Sequence, residues 1–439
     1  MNKKRIEHDA LLNAPNVSIY THYNIFMACA IALISYLGIR FLQPFHMEEP
    51  QAILLILYVI LSAIYARLYF PFTRKTYTSF IFLFLCCIPN LIFDNYFLKF
   101  FNVCFILLVL SHTLLVLSHK QIHENGQYFF IDILNAFTFV PLQGIKTLCQ
   151  KLVSLSKEAL HLQHVGAILI GIIISVPILL VVIPLLLSAD LAFQRFVLYF
   201  FSNINNLIKE IIYIIFSFPV FTYLYSLIYG NMNCERADVI KVEKNELDVR
   251  MNKTRIIPIT VPMTIEVILI MVYTIFLILS TSDIIKNMSM SLESFSFSHF
   301  AREGFFQLCI ISAINLLVLV CMHLISKQTH SKIQYAIKRI LCVETIALLC
   351  TAMLKMVLYI SAYGLTPLRV YSSWFLIILL GTFVLILYHI NHTEDKTLQH
   401  IIKYFCIAFL FLNLLNVDTF IMNYNQTMPT LVEDSSYVE

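Results

Sequence analysis

Of 439 residues, 59% are hydrophobic and 13% charged, against about 45–50% and about 25% in soluble chains, which excludes an ordinary water-soluble domain. The composition predicts an all-α, polytopic helical bundle whose main partner is the lipid bilayer. A net charge of +4 does not point to a nucleic-acid partner, because in such a chain the placement of the basic residues matters more than their sum.

The N-terminal stretch MNKKRIEHDALLNAPN is charged and polar, and the first apolar run begins near Tyr20, too far in and too long for the core of a cleaved signal peptide. The first span is therefore expected to be its own targeting signal, behind a cytoplasmic tail of residues 1–19. A membrane helix needs about 20 mostly apolar residues. Such runs predict eleven spans, at 20–41, 51–70, 78–95, 100–118, 164–188, 207–229, 257–281, 303–325, 340–362, 371–390 and 401–417. The third is interrupted by Pro89, Asn90 and Asp94, and the last is short.

Sidedness follows from lysine and arginine, which concentrate in cytoplasmic loops. With the N-terminus inside, 22 of the 30 basic residues fall in inner segments and seven in outer ones, with Lys355 left inside a span. The C-terminus is then outside. Residues 20–118 form a four-span bundle, 119–163 a cytoplasmic interfacial connector, 164–417 a seven-span bundle and 418–439 an extracytoplasmic tail.

Within the connector, YFFIDILNAFTFVPL followed by IKTLCQKLVSLSKEAL reads as an interfacial helix with a basic face, lying on the inner leaflet. The loop 230–256 carries six basic and five acidic residues within NCERADVIKVEKNELDVRMNKTR. It is either a solvated loop or the docking segment for a membrane or cytoplasmic protein partner. None of the eleven cysteines lies in an outer loop, so a disulfide framework is not expected. No internal repeat or inverted pair is visible, and proline rather than the scarce glycine punctuates the spans, at Pro177, Pro184, Pro219, Pro258 and Pro262.

Ionisable groups within the hydrocarbon are expensive and usually face protein or water. Glu266 lies near the middle of IPITVPMTIEVILIMVYTIF, just after Pro262 removes a backbone donor, whereas Glu344 is expected nearer the inner end of its span and Lys355 toward the outer end. Glu344 and Lys355 share a helical face but are ~16 Å apart along the axis, too far to pair. Asn315 is the candidate partner of Glu266, and Lys355 would either reach Asp283 or snorkel outward. These groups either line a proton, ion or substrate path or form structural bridges.

Twelve of the fourteen histidines fall on the inner half. His112, His119 and His123, at i, i+7 and i+11, would share one helical face, and His161 and His164 lie at the mouth of the fifth span. They are weak candidates for haem or a transition metal, and no cofactor is expected. On the opposite side, Asp190 with Ser188 is placed to cap the helix that begins LAFQRFVLYFF. No nucleophile elbow, phosphate loop or zinc motif occurs, so the chain is not expected to be an enzyme.

Four stretches, LLLSADLAF (185–193), HFAREGFFQL (299–308), YGLTPLRVY (363–371) and NVDTFIMNYN (416–425), resemble those of a bacterial multi-pass membrane family catalogued as a domain of unknown function. The resemblance covers residues 185–425 and implies a place in the bacterial cytoplasmic membrane. It singles out Asp190, Arg302, Gly304, Arg369, Asn416, Asp418 and Asn425, and all but Gly304 would form an outer polar cluster. The chain departs from that pattern at Val417 and Asn423, where the family carries a proline and a basic residue.

The expected function is transport or flipping of a small or lipidic substrate through a polar cavity. Glu266, Glu344, Lys355 and Asn315 would line the path, with Asp190, Arg302 and Arg369 at its outer mouth. The alternative is a non-catalytic membrane subunit or sensor that uses the outer cluster and the 230–256 loop. A membrane-embedded enzyme or haem protein ranks third.

Overall fold

The computed structural model describes residues 17–41, 49–122, 128–145, 185–203, 206–233, 255–289, 305–326, 332–390 and 397–427, together with isolated positions at 175, 178–179, 182–183, 249 and 253. Among them the chain is helical almost throughout and forms no strand. Among the described residues, ten helices are long and apolar enough to cross a membrane, and they match ten of the eleven predicted spans. The other, 164–188, lies mostly outside the described residues. Long apolar helices are what a chain of this composition must form in hydrocarbon, because the backbone has no water to bond.

Two compact units divide the chain: Met1–Gln121 with Tyr128–Lys241, and Ile122–Gln127 with Val242–Glu439. By internal packing, the change from one unit to the other comes near residue 241. The helix Asn206–Asn233 packs back onto the first and fourth helices, which keeps it in the first unit.

In the first unit, α1 (Val17–Arg40), α2 (Glu49–Tyr69), α3 (Arg74–Ile92) and α4 (Tyr96–Leu117) pack in sequence, and α7 (Asn206–Asn233) closes the ring against α1 and α4. Polar ties cross the ring. Tyr65 and Tyr69 both donate to Asn24 Oδ1, at 2.7 and 2.8 Å, and Tyr58 donates to the carbonyl of Leu224 at 2.9 Å. The PNLIFDN break in the third predicted span resolves into two helix ends: Pro89 stays inside α3, and Asn95 caps α4 by accepting from Leu98 N at 3.1 Å.

The connector helix α5 (Phe129–Ile145) buries one face and leaves Phe130, Leu134 and Leu142 exposed on the other. It packs between α4 and α7 and buries Asp132, Asn135, Ala136 and Val140. It widens to a π-helix over Leu134–Phe139. Pro141 has no N–H for the preceding turn, and side chains of α7 reach the carbonyls left over: Asn231 Nδ2 bonds Ala136 at 2.8 Å and Tyr223 bonds Phe137 at 3.0 Å. A short helix, α6 (Leu191–Asn203), exposes Leu191, Phe196 and Tyr199.

The second unit holds α8 (Thr260–Ser289), α9 (Phe305–Ile325), α10 (Lys332–Tyr363), α11 (Pro367–His389), α12 (Thr397–Leu414) and α13 (Val417–Gln426). Its centre is α10, which touches α8, α9 and α11 and buries Leu341, Leu348, Leu349 and Ala352 in a core with Leu308, Leu376 and Phe383. At 32 residues it is ~48 Å long, well beyond the ~30 Å of a hydrocarbon core. It starts eight residues before the predicted 340, because Lys338 and Arg339 continue the helix rather than ending it. The segment predicted as a tail from 418 instead begins with the helix α13.

Candidate functional site

The polar groups of the second unit meet where α8, α9 and α10 pack. Tyr273 on α8 donates to Asn315 Oδ1 on α9 at 2.7 Å. Asn315 Nδ2 in turn donates to Thr345 Oγ1 on α10 at 3.0 Å, and Thr345 passes its own proton to the carbonyl of Leu341 at 2.7 Å. All three side chains are buried. The chain of bonds joins three helices, the use to which interhelical polar groups are put where no water competes.

Asn315 is thus spent on Tyr273 and Thr345, not on Glu266 as the sequence suggested. Glu266 is fully buried, and neither Oε1 nor Oε2 has a hydrogen-bond partner. The carbonyl that Pro262 leaves over, that of Pro258, is taken by Val261 N at 3.1 Å. Lys338 and Cys342, one turn apart, lie on α10, which packs against the α8 helix that carries Glu266.

Glu344 accepts from Thr274 Oγ1 at 2.6 Å and keeps Oε2 buried without a partner. Thr274 is eight residues beyond Glu266 on α8, or ~12 Å along the axis, so Glu344 meets α8 farther from its Thr260 end than Glu266 does. This reverses the order of depth expected from the sequence, because α10 starts earlier than its hydropathy suggests. Lys355 is half-buried eleven residues further along α10, and the side chain of its candidate partner Asp283 lies outside those described. Sequence reasoning missed Tyr273, Thr345 and Lys338. The signal for Tyr273 was present, since it follows Glu266 by seven residues and shares its face.

Arg369 and Asn425 come together at the turn between α10 and α11. Gly364 takes φ 75° there, the left-handed region that glycine enters freely. Thr366 caps α11 ahead of Pro367. Arg369 donates to the carbonyls of Tyr363 and Gly364, at 2.9 and 2.6 Å, and its guanidinium lies 4.1 Å from the centre of the Tyr359 ring. Asn425 on α13 pairs with the backbone of Leu365, accepting from its N–H at 2.7 Å and donating to its carbonyl at 2.9 Å. Two family-motif stretches, YGLTPLRVY and NVDTFIMNYN, therefore build one turn.

Two further members of the proposed outer cluster, Asn416 and Asp418, do not reach this turn. Asn416 caps α13 by accepting from Thr419 N at 3.1 Å, and Asp418 is exposed in that first turn. Both are near the opposite end of α13 from Asn425, ~10–13 Å away along the axis. Asp190 belongs to the other unit and accepts from Ala192 N at 2.7 Å, capping α6. Ser188 does not share this role and bonds Leu185 O at 2.8 Å. Arg302 and Gly304 lie outside the described residues.

The histidine face expected in the first unit is broken. His119 takes φ 55°, and the N–H groups of His119 and Lys120 bond the carbonyls of Val116 and Leu115, at 3.1 and 3.2 Å, the pattern that terminates a helix. His112 stands against the Phe129 ring, with centroids 4.9 Å apart. His123, His161 and His164 lie outside the described residues. Among the described residues no three His, Cys, Asp or Glu side chains gather in a metal-binding group.

No curated protein and no solved structure matches the chain. The family described as "Domain of unknown function (DUF4153)" matches residues 80–430, extending the likeness seen in the motifs back through α3 and α4. That match covers most of an integral-membrane-type bundle of apolar helices, and the chain therefore belongs to the DUF4153 family.

Proposed function

We propose that this protein moves a small or lipidic substrate across a bacterial cytoplasmic membrane, by alternating exposure of a polar path in its second unit. Glu266, Glu344, Lys355 and Asn315 line that path, and Arg369 stands near its outer end. The observation that carries the reading is Glu266, a carboxyl with no partner inside a span. A bundle optimised only for stability has no use for such a group, whereas a carrier needs one to bind and release charge. The Tyr273–Asn315–Thr345 bonds hold three helices beside it in one arrangement. The proposed activity is not enzymatic, and no cofactor is invoked.

The test is reconstitution of the full chain in phosphatidylethanolamine–phosphatidylglycerol liposomes. Scrambling of a fluorescent phospholipid and dissipation of an imposed pH gradient are both recorded. Flux that Glu266→Gln or Lys355→Met removes supports the reading.

A second reading, a non-catalytic subunit or sensor, is favoured by the way Arg369 and Asn425 are both committed to bracing the 363–366 turn. A braced turn suits a docking surface for another protein. If both substitutions leave flux and growth unchanged while deletion of residues 233–252 abolishes the growth phenotype, this second reading replaces the first.

A further inference from the structure

Glu266 is buried, and neither of its carboxyl oxygens has a hydrogen-bond partner. On its own helix Tyr273 is turned to Asn315, and Thr274 serves Glu344. The helix packed against α8, α10, carries the buried Cys342 and, one turn earlier, the half-buried Lys338. Lys338 makes no hydrogen bond to either oxygen of Glu266.

An ionised carboxylate left unpaired in such a place is disfavoured by several kcal/mol. A metal cation would relieve that, but hard cations draw on several oxygen ligands at once, and among the described residues no three His, Cys, Asp or Glu side chains gather around Glu266. A proton needs one oxygen only. Lysine, in turn, carries a compact charge on a flexible four-carbon stem, so it can approach or leave a carboxylate without moving either helix.

We propose that Glu266 is a proton-binding site with Lys338 as its counter-ion. The unbonded carboxyl is the proton-loaded state. When the O–H bond breaks, the proton passes to water at the Lys332 end of α10, and the Lys338 ammonium, keeping its own protons, closes onto the carboxylate left behind. This deepens the transport reading and rests on it for its purpose: it makes the proton the coupling ion and the Glu266–Lys338 contact the element that changes.

The experiment needs no substrate. Purified full chain in liposomes is treated with dicyclohexylcarbodiimide, an apolar reagent to which a carboxylic acid adds. The acid O–H adds across one C=N bond, and acyl transfer to nitrogen then leaves a stable acylurea that keeps the whole mass of the reagent. The adduct is located by peptide mass mapping between about pH 6 and about pH 9, a range over which a single titration changes the protonated fraction tenfold per unit beyond its midpoint.

Labelling at Glu266 that falls with rising pH is expected, and in Lys338→Met that fall should move up by about one pH unit or more, because the cation favouring the carboxylate is gone. Lys338→Arg should retain the wild-type profile. Each variant is read only as a monodisperse peak on size exclusion. Absence of Glu266 labelling at every pH overturns the proposal, as does a Lys338→Met profile superimposable on the wild type. Protection by sodium chloride but not choline chloride overturns the choice of the proton. Labelled Glu266 in a chain that moves nothing would retire the transport reading alone, and Glu266-dependent flux without labelling would retire the proton site alone.

Discussion

Asn231 reaches from α7 to the carbonyl of Ala136 in α5, 2.8 Å away, and Pro141 five residues later is the reason that carbonyl is free. The same amide also bonds Leu227 O at 2.8 Å. Asn231→Leu removes both bonds and strands the Ala136 carbonyl. Hydrogen bonds between membrane helices average about 0.6 and reach about 1.7 kcal/mol, so a loss of about 1 kcal/mol is expected. A fall in the midpoint of thermal unfolding in detergent, followed by size exclusion, checks this; an unchanged midpoint would show that water replaces the amide.

A closer approach is made at Gly381, where an added Cβ would lie 2.2 Å from Tyr404 Cζ. Tyr404 donates to Ile377 O at 2.6 Å across the same α11–α12 contact. Gly381→Ala must push the ring aside and break that bond, at a penalty of about 1–3 kcal/mol, partly offset by the better helix propensity of alanine. Because the damage runs through one ring, Gly381→Ala and Tyr404→Ala should be strongly non-additive. Simple additivity in the double variant would show that the two sites are independent.

Arg369 performs three jobs at the 363–366 turn, two to carbonyls and one to the Tyr359 ring. Lysine has no planar fork to do all three, so Arg369→Lys should lower stability by about 1–2 kcal/mol. Asn425→Asp keeps the acceptor for Leu365 N and sets a second oxygen against Leu365 O, so it should be as harmful. Proteolysis at the turn, compared with wild type, measures both.

Glu266 is the opposite case, a buried polar group with no native bond to lose. Replacing it with leucine should leave stability unchanged or raise it by about 1–3 kcal/mol, the range for an unsatisfied buried polar group. Flux in the liposome assay should vanish in the same variant. A large loss of stability instead would mark Glu266 as structural.

Sidedness is testable without any activity. Reporter fusions after residue 240 and after residue 300 should report opposite faces of the membrane, as the basic-residue bias requires. The same face for both would remove the orientation on which the inner and outer roles depend.

The sequence by itself determined that the chain is a bundle of apolar helices and where most of them run, because hydrocarbon leaves a buried backbone no alternative to helix. It also determined that Glu266 must be unusual, since a carboxylate inside an apolar run is costly wherever it points. Partners were another matter. Asn315 and Glu266 looked matched in polarity and depth, yet Tyr273 and Thr345 claim the asparagine, because which faces meet depends on the packing of α8, α9 and α10 and not on composition. In the same way, Arg369 and Asn425 are 56 positions apart in sequence, and only the fold of α13 against α11 puts both on one turn. Hydropathy is a property of each segment alone and can be read in order, whereas a hydrogen bond requires two segments to meet at one height and one rotation.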